Sequence, residues 1–315
     1  MQASGLIAFG AAAALSAFLS GAGPATAAEP VKVVASFSIL GDFVREIGGD
    51  RVDVVTLVGP NGDAHVYEPS PADARAVAGA GLVVVNGLGF EGWLDRLVEA
   101  SGYKGEVTVA SAGIVPLAAA EDEHEHEHEH AGAEEHGHEG VDPHAWQSAE
   151  NAIVYVGNVA DALCRADAES CALFRANAER YRAELSDLDA SIKASFAALS
   201  PERRKVITTH DAFGYFARAY GIAFLAPQGV STDSEASAAD VAKLITQIRD
   251  EGVTALFLEN VSDPRLMEQI ARETGIRPGG ELYSDALSPP DGPAATYVAM
   301  MRHNAGTLLG AMRGS

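Results

Sequence analysis

Tyr181-Arg182-Ala183-Glu184-Leu185-Ser186-Asp187-Leu188-Asp189-Ala190-Ser191-Ile192-Lys193-Ala194-Ser195-Phe196-Ala197-Ala198-Leu199 is the longest periodic stretch of the sequence. Apolar side chains recur every three or four residues, at Tyr181, Leu185, Leu188, Ile192, Phe196 and Leu199, which is one face of a helix. The pattern predicts a helix from about Ala168 to Leu199, stopped by Pro201. At ~1.5 Å per residue such a helix is long enough to cross a whole domain. The plainer reading is an ordinary amphipathic surface helix. The flanks favour the longer role. On both sides, short β-branched runs alternate with helical segments, the signature of βαβ units and parallel sheets.

Before the long helix, strands are expected at Val31 to Ile39, Val52 to Val58, Leu82 to Asn86 and Val107 to Ala110, with helices at Gly41 to Gly49 and Pro71 to Ala80. Ala149 to Ala162 reads as a further helix, with Ser148 as its N-cap. After Pro201, strands are expected at Lys205 to His210, Ile222 to Ala226, Ala255 to Glu259 and Glu281 to Ser284. Helices are expected there at Ala212 to Tyr220, Ala236 to Asp250, Pro264 to Thr274 and Ala294 to Met312. The fold class is therefore α/β, two halves joined by a long helix, with no residue-level repeat between them.

Residues 1–28 differ from the rest. Leu6 to Gly23 is apolar and small, and Ala25-Thr26-Ala27-Ala28 is a small-residue cleavage site, so the segment reads as a secretory signal peptide with the mature chain beginning near Ala28 or Glu29. Met1 to Gly5 lacks the Lys or Arg usual in such a leader, and no Cys follows the apolar run to carry a lipid. Periplasmic localisation is expected. The remaining domains are a lobe over 29–167, a linking helix over 168–199 and a lobe over 200–315. A hydrophobic content of 47% suits a folded protein, and the net charge of -22 argues against nucleic acid as a partner. Cys164 and Cys171 suit a local disulfide in an exported protein, the other reading being two independent small residues near a helix end.

Within the first lobe, Glu121 to Gly140 holds six histidines (His124, His126, His128, His130, His136 and His138) and nine acids. Such composition cannot bury a core, so a mobile loop with secondary metal-binding capacity is expected. It is followed by Val141-Asp142-Pro143-His144-Ala145-Trp146, where an Asp-Pro turn puts His144 on stiff backbone. His65 lies in the loop after the second strand, His210 ends a strand, and Asp285 comes just past another. Clefts of open α/β sheets lie beyond the carboxyl ends of their strands, so the four suggest one metal site. A lone His beside a turn is more often simply solvated or hydrogen-bonded.

Gly87-Leu88-Gly89-Phe90-Glu91-Gly92 matches the GxGxxG dinucleotide pattern, and Glu106 stands near the place of a ribose-binding acid. The motif follows the third strand and not the first, and Phe90 and Glu91 crowd the place of a pyrophosphate. No HExxH, GxSxG or GxxxxGK[ST] occurs.

In order and with similar gaps, "GDAHVYEP" (62–69), "NGLGFEGW" (86–93), "DPHAW" (142–146), "THDAFGYF" (209–216), "FLENVSDP" (257–264) and "LYSDALS" (282–288) resemble the zinc-specific periplasmic solute-binding proteins of bacterial ABC importers. This is the ZnuA- and AztC-like cluster A-I group, and the likeness spans Val31 to Met312. It implies two (β/α)4-type lobes joined by one rigid helix, with the metal in the cleft between them. It also implies His65, His144, His210 and Asp285 as ligands, and a His-rich loop before the second of them. The implied protein is a monomer that does no chemistry. It captures Zn²⁺ and delivers it to an ABC permease, with a periplasmic zinc chaperone as a further candidate partner. Manganese-binding relatives tend to carry Glu where this chain has His210. Two readings from other classes remain: a zinc hydrolase using Glu68 or Glu259 as base, and a surface adhesin or metal buffer working through the His-rich run.

Overall fold

The computed structural model describes residues 29–119, 140–253 and 255–314; the expected leader and nearly all of the histidine-rich run lie outside the described residues. The first lobe comprises β1 (Val31–Phe37), α1 (Ser38–Gly48), β2 (Val52–Val58), α2 (Pro71–Ala78), β3 (Leu82–Val85), α3 (Leu94–Ser101) and β4 (Val107–Val109). A short antiparallel pair, β5 (Leu117–Ala118) with β6 (Val141–Asp142), follows it. Then come α4 (Ala149–Ala166) and the long α5 (Cys171–Ala197). The second lobe comprises β7 (Lys205–Ile207), α6 (Gly214–Tyr220), β8 (Ala223–Leu225), α7 (Ala238–Glu251), β9 (Ala255–Glu259), α8 (Arg265–Thr274), β10 (Pro278–Leu282) and α9 (Tyr297–Arg313).

The protein is α/β, with two lobes built on parallel sheets. The first sheet runs β2-β1-β3-β4 and the second β8-β7-β9-β10, the same order in each, and every named strand pair in both is parallel. The lobes therefore repeat in topology where their sequences do not. Parallel strands covered on both faces need apolar residues at successive positions, and the fully buried Leu82-Val83-Val84-Val85 of β3 meets that need.

Helix α5 buries Phe174, Ala178, Tyr181, Leu185, Leu188, Ile192 and Phe196, the face read from the period. It packs on α1 and α4 of the first half and on α6 and α9 of the second. It starts at Cys171, later than Ala168, because Asp167 and Ser170 make a turn: the Asp167 carboxylate accepts the Ser170 N–H, and Arg51 donates to both side chains. The Cys164–Cys171 disulfide closes the same turn. The last strand also differs from expectation, covering Pro278–Leu282 and not Glu281 to Ser284. As an edge strand it tolerates Pro at its first position, where no ladder N–H is required. Helix α3 had no expected counterpart; it holds two buried residues, Leu94 and Leu97, a face too short for periodicity to reveal.

One apolar core runs continuously through both lobes and around α5, while a smaller one lies between the second sheet and α7 and α8. A buried carboxylate ties the lobes within the larger core: Asp42 of α1 accepts the Tyr297 N–H at the start of α9 at 2.8 Å. Burial pushes the Asp42 pKa up to about 6, the Tyr297 N–H opposing and Glu46 adding to the shift. A carboxyl that holds its proton more tightly folded than unfolded gives its stability at low pH and loses it as pH rises through the folded pKa. Asp42→Asn keeps an acceptor for Tyr297 without the charge. We expect it to raise the unfolding free energy by roughly 1–3 kcal/mol at pH 8 and to change it little at pH 4. Urea unfolding of the metal-free protein at the two pH values measures this, and equal stability at pH 8 would contradict it.

Candidate metal centre

Three imidazoles and one carboxylate converge between the lobes. One ligand atom from each of His65, His144, His210 and Asp285 lies within 4.8 Å of all the others. His65 Nε2 is 3.3 Å from His144 Nε2 and 3.4 Å from Asp285 Oδ2. His210 Nε2 is 3.2 Å from Asp285 Oδ2, and His144 Nε2 is 3.5 Å from Asp285 Oδ1. The His144, His210 and Asp285 side chains are fully buried and that of His65 nearly so.

Each group is placed by local sequence chemistry. The loop after β2 carries His65; Asp63 accepts the His65 N–H at 2.9 Å and, across the cleft, the Thr232 hydroxyl at 2.6 Å. Trp93 Nε1 donates to the Ala64 carbonyl at 2.7 Å, and the Phe90 ring packs edge-on against His65. The Asp142-Pro143 turn makes Asp142 Oδ1 a double acceptor, 2.9 Å from the His144 backbone N and 2.8 Å from its Nδ1. With Nδ1 turned to a carboxylate, Nε2 is left with its lone pair facing the cluster. His210 follows β7, and Glu259 at the end of β9 accepts the Thr209 and His210 backbone N–H groups through Oε1 at 2.7 and 3.0 Å. Glu259 Oε2 stands 2.6 Å from His210 Nδ1, outside hydrogen-bond alignment. Both Asp285 oxygens are buried with no donor.

Unpartnered buried carboxylate oxygens are costly, and their position among three ring nitrogens is the chemistry of a cation site. Without a cation the cluster compensates internally. Burial opposes charging His210, but Glu259 and Asp285 outweigh it and hold its pKa well above the ordinary value. Burial likewise opposes ionising Asp285, and His210 and His144 outweigh it and keep its pKa well below the usual carboxylate range.

The orienting acids Asp142 and Glu259 were not read from the sequence as such. Asp142 was legible in principle, two residues from His144; Glu259 had been considered only as a hydrolytic base. The other suggested base, Glu68, is exposed. The GxGxxG reading fails on a definite contact. The turn at Gly87, Leu88 and Gly89, all at positive φ, wraps the fully buried Glu91, whose carboxylate accepts the Asn86 and Gly87 N–H groups and the Ser36 hydroxyl. Those N–H groups face an internal anion, not a pyrophosphate. Glu106 pairs with Arg165.

The chain matches the family model "ZnuA: Zinc-uptake complex component A periplasmic" over residues 33–311. It is 32% identical to the manganese-binding lipoprotein MntA of Halalkalibacterium halodurans over 282 residues, 89% of this chain and 88% of that protein. It is also 32% identical to MtsA of Streptococcus pyogenes, an iron ABC transporter substrate-binding lipoprotein, over 300 residues, 92% of this chain and 93% of the other. The structure of the periplasmic zinc binding protein TroA from Treponema pallidum superposes with a TM-score of 0.80 at 30% identity, covering 90% of this chain and 99% of that one. With two parallel-sheet lobes, a three-histidine, one-aspartate cluster between them and a family match from residue 33 to 311, this chain belongs to the ZnuA family of periplasmic metal-binding components of ABC importers, which are not enzymes.

Proposed function

We propose that the protein captures Zn²⁺ in the periplasm and delivers it to an ABC-type zinc permease. In this reading His65, His144 and His210 bind through Nε2, and Asp285 supplies the fourth ligand. The observation that carries it is the donor set: three imidazole nitrogens and one carboxylate within 4.8 Å of one another. Such a set suits four-coordinate Zn²⁺ better than six-coordinate Mn²⁺, which prefers oxygen. Four protein ligands also leave no open position for a hydrolytic water. The manganese reading has its own support in the relatives, since MntA is named for that metal. The run from 121 to 140 serves, in the same proposal, as a secondary collecting segment: its nine acids raise the local cation concentration, and its six histidines bind weakly.

The ligand assignment is tested by zinc titration of single variants. His144→Ala is expected to weaken the tight site by at least about 100-fold, a larger loss than removing an orienting partner causes. The far-UV circular dichroism of the metal-free form should be retained. Unchanged tight binding in each of His65→Ala, His144→Ala and His210→Ala would refute the four-residue site.

Metal choice is tested by competition. Zn²⁺ should displace Mn²⁺ at equal concentration, following the general affinity order for nitrogen-rich sites. Retention of Mn²⁺ would move the protein to the manganese reading.

Deleting residues 121–140 should remove the weak zinc equivalents, slow uptake at low ionic strength and leave one tight equivalent. Loss of the tight equivalent would place primary ligands in that run.

A further inference from the structure

Two of the three histidines are each faced by an acid at Nδ1, His144 by Asp142 and His210 by Glu259. Asp285 has no such partner. Both of its oxygens are buried without a donor, so its direction is set by the backbone on either side. That backbone follows the second sheet in the chain, yet much of what holds it comes from the first half of the sequence. Trp146 Nε1 and Gln147 Nε2 donate to the Ser284 carbonyl at 2.9 and 2.6 Å. The Asn61 N–H donates to the Leu287 carbonyl at 3.0 Å. Ser38 Oγ accepts the Leu287 N–H at 2.9 Å, two residues beyond Asp285. Asp42 Oδ2 accepts the Tyr297 N–H at 2.8 Å, where the segment enters α9. The second lobe contributes Asn260, which bonds Ser284 and Ala286 at 3.3 and 3.1 Å.

Trp146 and Gln147 adjoin His144, so their loss would disturb two ligands at once. Ser38 and Asp42 are different. They lie one turn apart on the buried face of α1, outside the segment that carries His144, and accept the Leu287 and Tyr297 N–H groups. Asn304 of α9 adds bonds to both the N–H and the carbonyl of Tyr283 at 2.9 and 2.7 Å. We infer that Ser38 and Asp42 are positioning residues for Asp285: helix α1 of the first lobe, together with these second-lobe bonds, fixes the fourth ligand against His65 and His144. This rests on the four-ligand reading proposed above.

The test compares Zn²⁺ affinity and the visible spectrum of the Co²⁺-loaded full-length protein across variants. Cobalt reports ligand identity and geometry, which a merely structural role of Ser38 and Asp42 would leave alone. The Ser38→Ala/Asp42→Ala double variant is expected to bind Zn²⁺ roughly 10–100-fold more weakly, the loss typical when a group that orients a ligand is removed. Its cobalt spectrum should shift toward that of Asp285→Ala. Asp42→Asn, which keeps the acceptor, should retain native affinity and spectrum. If the double variant does not fold, Ser38→Ala alone carries the test, with a smaller loss and a shift in the same direction. Native affinity and spectrum in the alanine variants, whatever their melting temperature, overturn the inference while Asp285→Ala still weakens binding. Unchanged binding in Asp285→Ala instead overturns the four-ligand reading itself.

Discussion

A carboxylate taken out of water must find donors, and that constraint organises both lobes of this protein. In the first, Glu91 lies just beyond β3 and collects the Asn86 and Gly87 N–H groups together with the Ser36 hydroxyl of β1. In the second, Glu259 ends β9 and collects the Thr209 and His210 N–H groups beyond β7. The two sheets share one strand order, so β1 corresponds to β7 and β3 to β9. The two glutamates thus bind together the ends of corresponding strands, at the edge where the lobes face each other. In the first lobe the acid is spent on backbone and hydroxyl donors. In the second, one oxygen remains over and faces His210 Nδ1 at 2.6 Å. The arrangement that closes strand ends in the first lobe also holds a histidine of the cluster in the second.

The same constraint explains how much was legible in the sequence. Alternating strands and helices and the buried face of α5 are local properties, and Tyr181 through Phe196 announced them by spacing alone. The last strand was placed at Glu281 to Ser284 and begins earlier, at Pro278, because Pro-Gly-Gly composition argues against a strand and its pairing to β9 is a tertiary fact. The glycine motif at 87–92 was set aside on its position and its crowding residues, since its glycines alone could not decide. Glycines at positive φ look alike from the sequence whether the turn cradles a phosphate or a buried glutamate. The four converging residues were suggested by their places after strands and made specific only by resemblance to a family. Glu259 shows why: it reaches the His210 backbone across 49 residues of sequence, and no period or spacing encodes that contact.

Sharing a fold at about 30% identity does not fix the cargo. MntA, MtsA and TroA are named for manganese, iron and zinc, and this chain lies at a similar distance from each. What differs between such cargoes is the number and kind of donor atoms, so the choice lies in a few side chains and in how firmly they are held. His144 and His210 have their Nδ1 atoms turned to carboxylates, which commits their Nε2 atoms to the centre. Imidazoles oriented in this way offer one nitrogen each and cannot raise the coordination number.

Asp285 is the exception. Outside the three ring nitrogens its two oxygens have no donor, so the side chain alone permits it to bind through one oxygen or both. One oxygen with three nitrogens gives the four-coordinate arrangement of zinc; two begin to supply the larger, oxygen-richer shell that manganese prefers. On the proposed four-ligand reading, selectivity turns on whether one Asp285 oxygen binds or both. The direction of the carboxylate comes from the backbone of Ser284 and Leu287, anchored on Trp146, Gln147 and Ser38. In that proposal, metal choice is linked to the packing of the first lobe against a segment that the chain reaches last.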